Sequence, residues 1–111
     1  MSNDRLFTVI NDTYHLAFVV DLDGEQATID YRYYKHDIAF LHSYVPEHFR
    51  GKGVAKALAE TALTFARKEN KKIMLYCPFM SKYVREHPEY HDLVDTEFHQ
   101  TFFSKPQDGP Q

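Results

Sequence analysis

Between residues 38 and 77 an apolar strand, a glycine-punctuated loop, an amphipathic helix and a second apolar strand follow one another with almost no slack. Two strands joined by so short a path through a helix lie parallel in one sheet, and their crossover is right-handed. The spacing therefore predicts that Ile38 to Val45 lies beside Lys72 to Cys77. Between them Val54, Ala57, Leu58, Thr61, Ala62, Phe65 and Ala66 fall on one helical face, with Lys56, Glu60, Arg67 and Lys68 on the other. Lysines and arginines crowd the C-terminal end, where cations suit the helix dipole, and Asn70 is suited to end the helix.

The loop into this helix reads Arg50-Gly51-Lys52-Gly53-Val54-Ala55. Two glycines remove the side chains that keep a ligand off the backbone and permit positive φ. The first turn beyond them offers unpaired N–H groups and the positive end of the dipole, which together hold an anion. Arg50, Lys52 and Lys56 add charge, and no acidic residue stands between Arg50 and Ala59. This is the layout of a phosphate cradle, although glycine spacing alone fits a solvated surface turn as well.

Upstream the pattern is a meander. Leu6 to Ile10 offers a short edge strand, Asn11-Asp12-Thr13 a turn, and His15 to Val20 a strand-length apolar run. Asp23-Gly24 is a strong hairpin signal. The return strand alternates, with Ala27, Ile29, Tyr31 and Tyr33 on one face. After a turn at Lys35 to Asp37 the same alternation places Ile38, Phe40, His42 and Tyr44 on one face and Ala39, Leu41, Ser43 and Val45 on the other. Past Cys77, Pro78 ends the second parallel strand, Ser81 to Glu86 is helix-like, and Pro88 starts one more turn. The expected fold class is thus a compact α/β (α+β) domain over residues 1–94, with residues 95–111 a partly disordered tail.

A net charge of -3 argues against a general nucleic-acid binder. No apolar run is long enough to cross a bilayer, and the first residues lack the layout of a signal peptide. The single cysteine rules out an internal disulfide, which makes the cytoplasm the expected compartment. Monomer and homodimer are both compatible with the pattern. His87 and His91 have a zinc-like spacing, but Pro88 separates them and no cysteine pair accompanies them, so no metal is expected.

Val45, four residues, then Arg50-Gly51-Lys52-Gly53-Val54-Ala55 resembles the V-x-x-x-x-R-G-x-G-x-A pattern of the GNAT superfamily of N-acetyltransferases. Leu41 to Pro46 and Cys77 to Tyr90 look like its small, single-domain YjdJ-type branch, the N-acetyltransferase domain-containing protein one type. The resemblance covers residues 9–94. It implies two parallel strands that splay apart round the pantetheine arm of acetyl-CoA. Backbone groups of Tyr44 and Val45 would hold that arm, and backbone N–H groups from Arg50 to Ala55 the pyrophosphate. Two departures stand out. The strand pair with which larger GNAT enzymes shape the acceptor site has no counterpart after Val94, and Cys77 stands where they tend to carry asparagine.

Acetyl transfer to an amine needs a neutral nitrogen, a polarised carbonyl and a stabilised leaving thiolate. Deprotonating a lysine-like amine at pH 7 costs roughly 4.6 kcal/mol, which a base or a dry site must offset. His42 is the first candidate base and Glu47 the second, with a core histidine as the plain alternative for His42. Cys77 fits a packing contact, a proton donor to the thiolate or a transient acetyl carrier. Tyr83 lies near the place where many GNAT enzymes keep a proton-donating tyrosine. The acceptor would be a primary amine of a small molecule or a protein. The alternative is an acyl-CoA-binding or regulatory module with little catalysis. A nucleotide-phosphate binder fits less well, because the loop lacks the Gly-x-x-x-x-Gly-Lys-Ser/Thr order.

Overall fold

The computed structural model describes residues 7–100, with the backbone alone for His48. Five strands form one sheet in the order of the chain: β1 (Ile10–Asp12), β2 (Ala17–Leu22), β3 (Glu25–Tyr34), β4 (Asp37–Tyr44) and β5 (Lys72–Leu75). The first four are antiparallel and β5 runs parallel to β4. Helix α1 (Val54–Lys68) makes the crossover, and α2 (Pro78–Glu86) follows β5. The mixed α/β architecture is the one the sequence implies.

Turn chemistry explains where the elements begin. Asn11 and Asp12 belong to β1 rather than to the expected turn, which comes one step later. There the Asp12 carboxylate accepts the N–H groups of Tyr14 and His15 at 3.1 and 3.0 Å, and Leu16 takes φ 57°. That turn consumes His15 and Leu16 and shifts β2 two residues along. Asp23 and Gly24, at φ 54° and 84°, close the β2–β3 hairpin as expected.

β4 departs from simple alternation. Asp30 pairs with His42 but Tyr31 pairs with Phe40, so Leu41 is an extra residue in the ladder. Ile38 and Phe40 face the core, as expected. Beyond the bulge the faces exchange: Ser43, opposite buried Ile29, turns to the helix side, while His42 and Tyr44 turn away from it.

α1 buries Val54, Ala57, Leu58, Ala62 and Ala66 as expected, and also Ala59 and Leu63. The stripe is wider because Met80, Tyr83 and Val84 of α2 join the same cluster. α1 ends in a Schellman turn, in which Lys71 N–H reaches Ala66 O at 3.0 Å and Asn70 N–H reaches Arg67 O at 3.1 Å across Asn70 at φ 56°. α2 starts earlier than expected, because Pro78 occupies its first turn. His87 is extended before Pro88, and Pro88–Leu93 is a 3-10 helix. Arg67 fixes this helix with two bonds to Asp92, at 2.8 and 3.0 Å.

Of the expected tail, residues 101–111 lie outside the described residues. The stretch 95–100 lies along β5: Asp95 N–H reaches Ile73 O at 3.1 Å, and Leu75 N–H reaches His99 Nε2 at 2.8 Å. Burial holds His99 below the usual imidazole range, which favours the neutral acceptor this bond needs. Among the described residues no helix is long and apolar enough to cross a membrane.

Candidate functional site

The loop between β4 and α1 is built from two successive turns. Arg50 N–H closes the 3-10 turn Glu47–Phe49 on Glu47 O at 3.0 Å, and Lys52 N–H returns to Phe49 O at 3.2 Å. Phe49 is fully buried and pegs the loop to the core. Gly51 and Gly53 then take φ 80° and 78°, the left-handed region that a side chain resists. Gly53 caps α1 without a side-chain bond, and the first turn carries no acid.

The consequence is a concave run of backbone donors. The N–H groups of Gly51, Gly53, Val54, Ala55 and Lys56 meet no acceptor among the described residues. Those of Arg50 and Lys52, expected to bind as well, are spent inside the loop. Among the described residues no carboxylate pairs with Arg50, Lys52 or Lys56. Free N–H groups, a helix N-terminus and three cations without a carboxylate partner are the features that suit an anion.

A pocket of about 470 Å³ runs from this cradle into the fold. Of the eight residues expected at the cofactor, Val45, Arg50, Gly51, Gly53, Val54 and Ala55 line it. Tyr44 and Lys52 are exposed and do not, whereas Ser43, Phe49, Lys56 and Phe79 do. The pocket reaches a real gap in the sheet. β4 and β5 pair from Asp37↔Lys72 to Phe40↔Leu75, and there the ladder stops. Tyr76 and Cys77 both donate to Phe40 O at 3.0 Å before Pro78 turns the chain into α2. From Leu41 to Tyr44 only β3 flanks β4 among the described strands.

The three residues singled out for chemistry go to three places. Cys77 lies at the root of the gap, only 1% exposed, and its thiol donates to Ser43 Oγ at 3.4 Å. His42 lies on the opposite face of the sheet, with its side chain 68% exposed and Nδ1 3.9 Å from Asp30 Oδ2. The plain alternative of a core histidine does not hold. Tyr83 sits between α2 and α1, stacked on His87 at 3.9 Å; burial, then Glu60, pushes its hydroxyl up to about 12. It does not line the pocket, and neither does Glu47. The rings of His87 and His91 meet the backbone carbonyls of Tyr83 and Arg85.

A profile of the GCN5-related N-acetyl-transferase family matches residues 17–93, which include the cradle, the gap and Cys77. The chain belongs to that family. Its similarity to curated proteins runs the same way. It is 39% identical over 83 residues to Protein NATD1 of Homo sapiens, covering 72% of this chain and 74% of that one. The Xenopus tropicalis protein of the same name is also 39% identical, covering 72% and 76%, and that of Danio rerio is 36% identical over 91 residues, covering 78% and 83%. The loop and Ser43 of the open half of β4 line one pocket. Sequence reasoning missed Ser43 in it, because nothing in Leu41-His42-Ser43 announces a bulge.

Proposed function

We propose that the chain transfers an acetyl group from acetyl-CoA to a primary amine of a small molecule or a protein. The observation behind this reading is that a donor-lined anion cradle opens directly into a gap between parallel strands. The free N–H groups of Gly51, Gly53, Val54, Ala55 and Lys56, with the side chains of Arg50 and Lys56, suit a diphosphate. The unflanked edge of β4 at Tyr44 and Val45 suits the amide-bearing arm that follows it. When bound, acetyl-CoA supplies an activated acyl group. His42, with Asp30, lies on the face of the sheet away from the cradle, beside the unflanked edge of β4. An amine arriving there meets an imidazole able to take its proton, which offsets part of the roughly 4.6 kcal/mol needed to neutralise a lysine-like nitrogen.

Calorimetry with CoA and acetyl-CoA tests the cofactor, and thiol release over a panel of amines tests the transfer. Saturable binding with amine-dependent release is the expected result; no binding of either nucleotide removes the reading. A second reading is an acyl-CoA-binding module without efficient catalysis. It is favoured by the lining of the pocket, whose charged side chains are Arg50 and Lys56, with no carboxylate or imidazole. Binding without release on any amine selects it.

A further inference from the structure

The inner end of the pocket holds a side chain to which the proposed reaction has so far given no part. Ser43 lines the pocket and carries the one hydroxyl among its lining residues. Its Oγ accepts the Cys77 thiol, so its own hydrogen is left to donate, and among the described residues no acceptor meets it. The thiol lies behind that contact, 1% exposed. A ligand that fills the pocket therefore meets the hydroxyl before it meets the sulfur.

Building on the acetyl-transfer reading, we infer that Ser43 is a catalytic residue: its hydroxyl hydrogen-bonds the thioester and protonates the departing sulfur, while Cys77 is a positioning residue that turns that hydrogen into the pocket. The balance is simple. As the acceptor nitrogen bonds to the acyl carbon, the carbon–sulfur bond breaks and its electron pair takes the hydrogen of Ser43 Oγ. Ser43 Oγ takes the hydrogen of Cys77 Sγ in the same movement. The proton that the nitrogen gives up then restores the thiol, so no further reactant is consumed. Cys77 forms no bond to the acyl group.

A readout independent of turnover exists. The chain has one cysteine, so its infrared S–H stretch reports Cys77 alone, and acetyl-CoA adds no S–H group of its own. A hydroxyl that donates becomes a better acceptor, so saturating acetyl-CoA should lower the frequency of that stretch. In Ser43→Ala the stretch should start higher and stay unmoved by the ligand. In amine-dependent thiol release, Ser43→Ala should lower kcat about 10²-fold while KM for acetyl-CoA stays within about twofold. Ser43→Thr, which keeps the hydroxyl, should recover most of the rate. A stretch that ignores bound acetyl-CoA, or a Ser43→Ala protein with wild-type kcat, overturns the role of Ser43 and leaves acetyl transfer standing. A wild-type protein to which acetyl-CoA shows no calorimetric binding overturns the reading beneath it.

Discussion

The two halves of β4 are chemically alike and structurally opposed. Asp37 to Phe40 lies between β3 and β5 and is buried at every residue, whereas Leu41 to Tyr44 has β3 alone beside it and is open to solvent at all but Ser43, which is half-buried. One additional residue in the ladder separates them. Backbone groups that lose a neighbouring strand must find another partner, and a ligand arm with amides of its own is one. The first half is held between two strands, and the second is open because the β4–β5 ladder ends at Phe40 and Leu75, before Pro78 turns the chain into α2. A bulge thus converts a core strand into the wall of a site within two residues.

The sharpest way to break this comparison is to truncate each half in turn. Phe40 is fully buried in the core, paired with Tyr31 on one side and Leu75 on the other, so Phe40→Ala should cost about 3–5 kcal/mol by chemical denaturation. Leu41→Ala, one residue on, should cost under about 0.5 kcal/mol. Equal costs would mean that the bulge does not divide the strand.

The cradle separates binding from folding in the same way. Arg50 is exposed and pairs with no carboxylate among the described residues, so Arg50→Glu should weaken CoA binding about 10- to 100-fold in calorimetry while the denaturation midpoint holds. An unchanged affinity would place the diphosphate elsewhere. Gly53→Ala should behave differently. A Cβ there meets nothing within 4 Å, but φ 78° strains any side chain, so it should cost about 1 kcal/mol of stability and loosen the cradle as well.

Much of this was legible in the residues. The crossover follows from two apolar runs and an amphipathic stretch, the hairpin from Asp23-Gly24, and the cradle from Gly51 and Gly53, because each rests on a local preference. What stayed hidden depends on long-range pairing. The bulge at Leu41 is set by the match of β4 to β3, and it reversed the faces assigned to His42 and Ser43. Tyr83 lies outside the pocket lining, and only the packing of α2 beside α1 shows that it faces Glu60. The segment after Val94 looked structureless because its partners are the edge of β5 and a single carboxylate at the start of β4.

That carboxylate gives a small effect that appears only as pH changes, and one confined to the locked half of β4. Burial, followed by a hydrogen bond to Asp95, pushes Asp37 up to about 6, while the same bond holds Asp95 below the ordinary range. Protonated Asp37 donates to ionised Asp95; His36 and Lys71 act against the shift from the neighbouring turn and the approach to β5. Because the folded value is raised, this contribution to stability is full below pH 3.8 and is lost as pH climbs through about 6. Asp95 and His99, both lowered, act in the opposite direction, each losing its contribution as pH falls. The difference between Asp37→Asn and wild type cancels most of those other slopes, since asparagine still donates to Asp95. Measured by denaturation from pH 4.5 to 7, that difference should move in favour of the variant by on the order of 1 kcal/mol. Hydrogen exchange at the Leu75 amide, which rests on His99, should follow it, while CoA affinity in the open half stays level. A difference that does not change with pH would detach Asp95 from Asp37 and leave the 95–100 segment held by β5 alone.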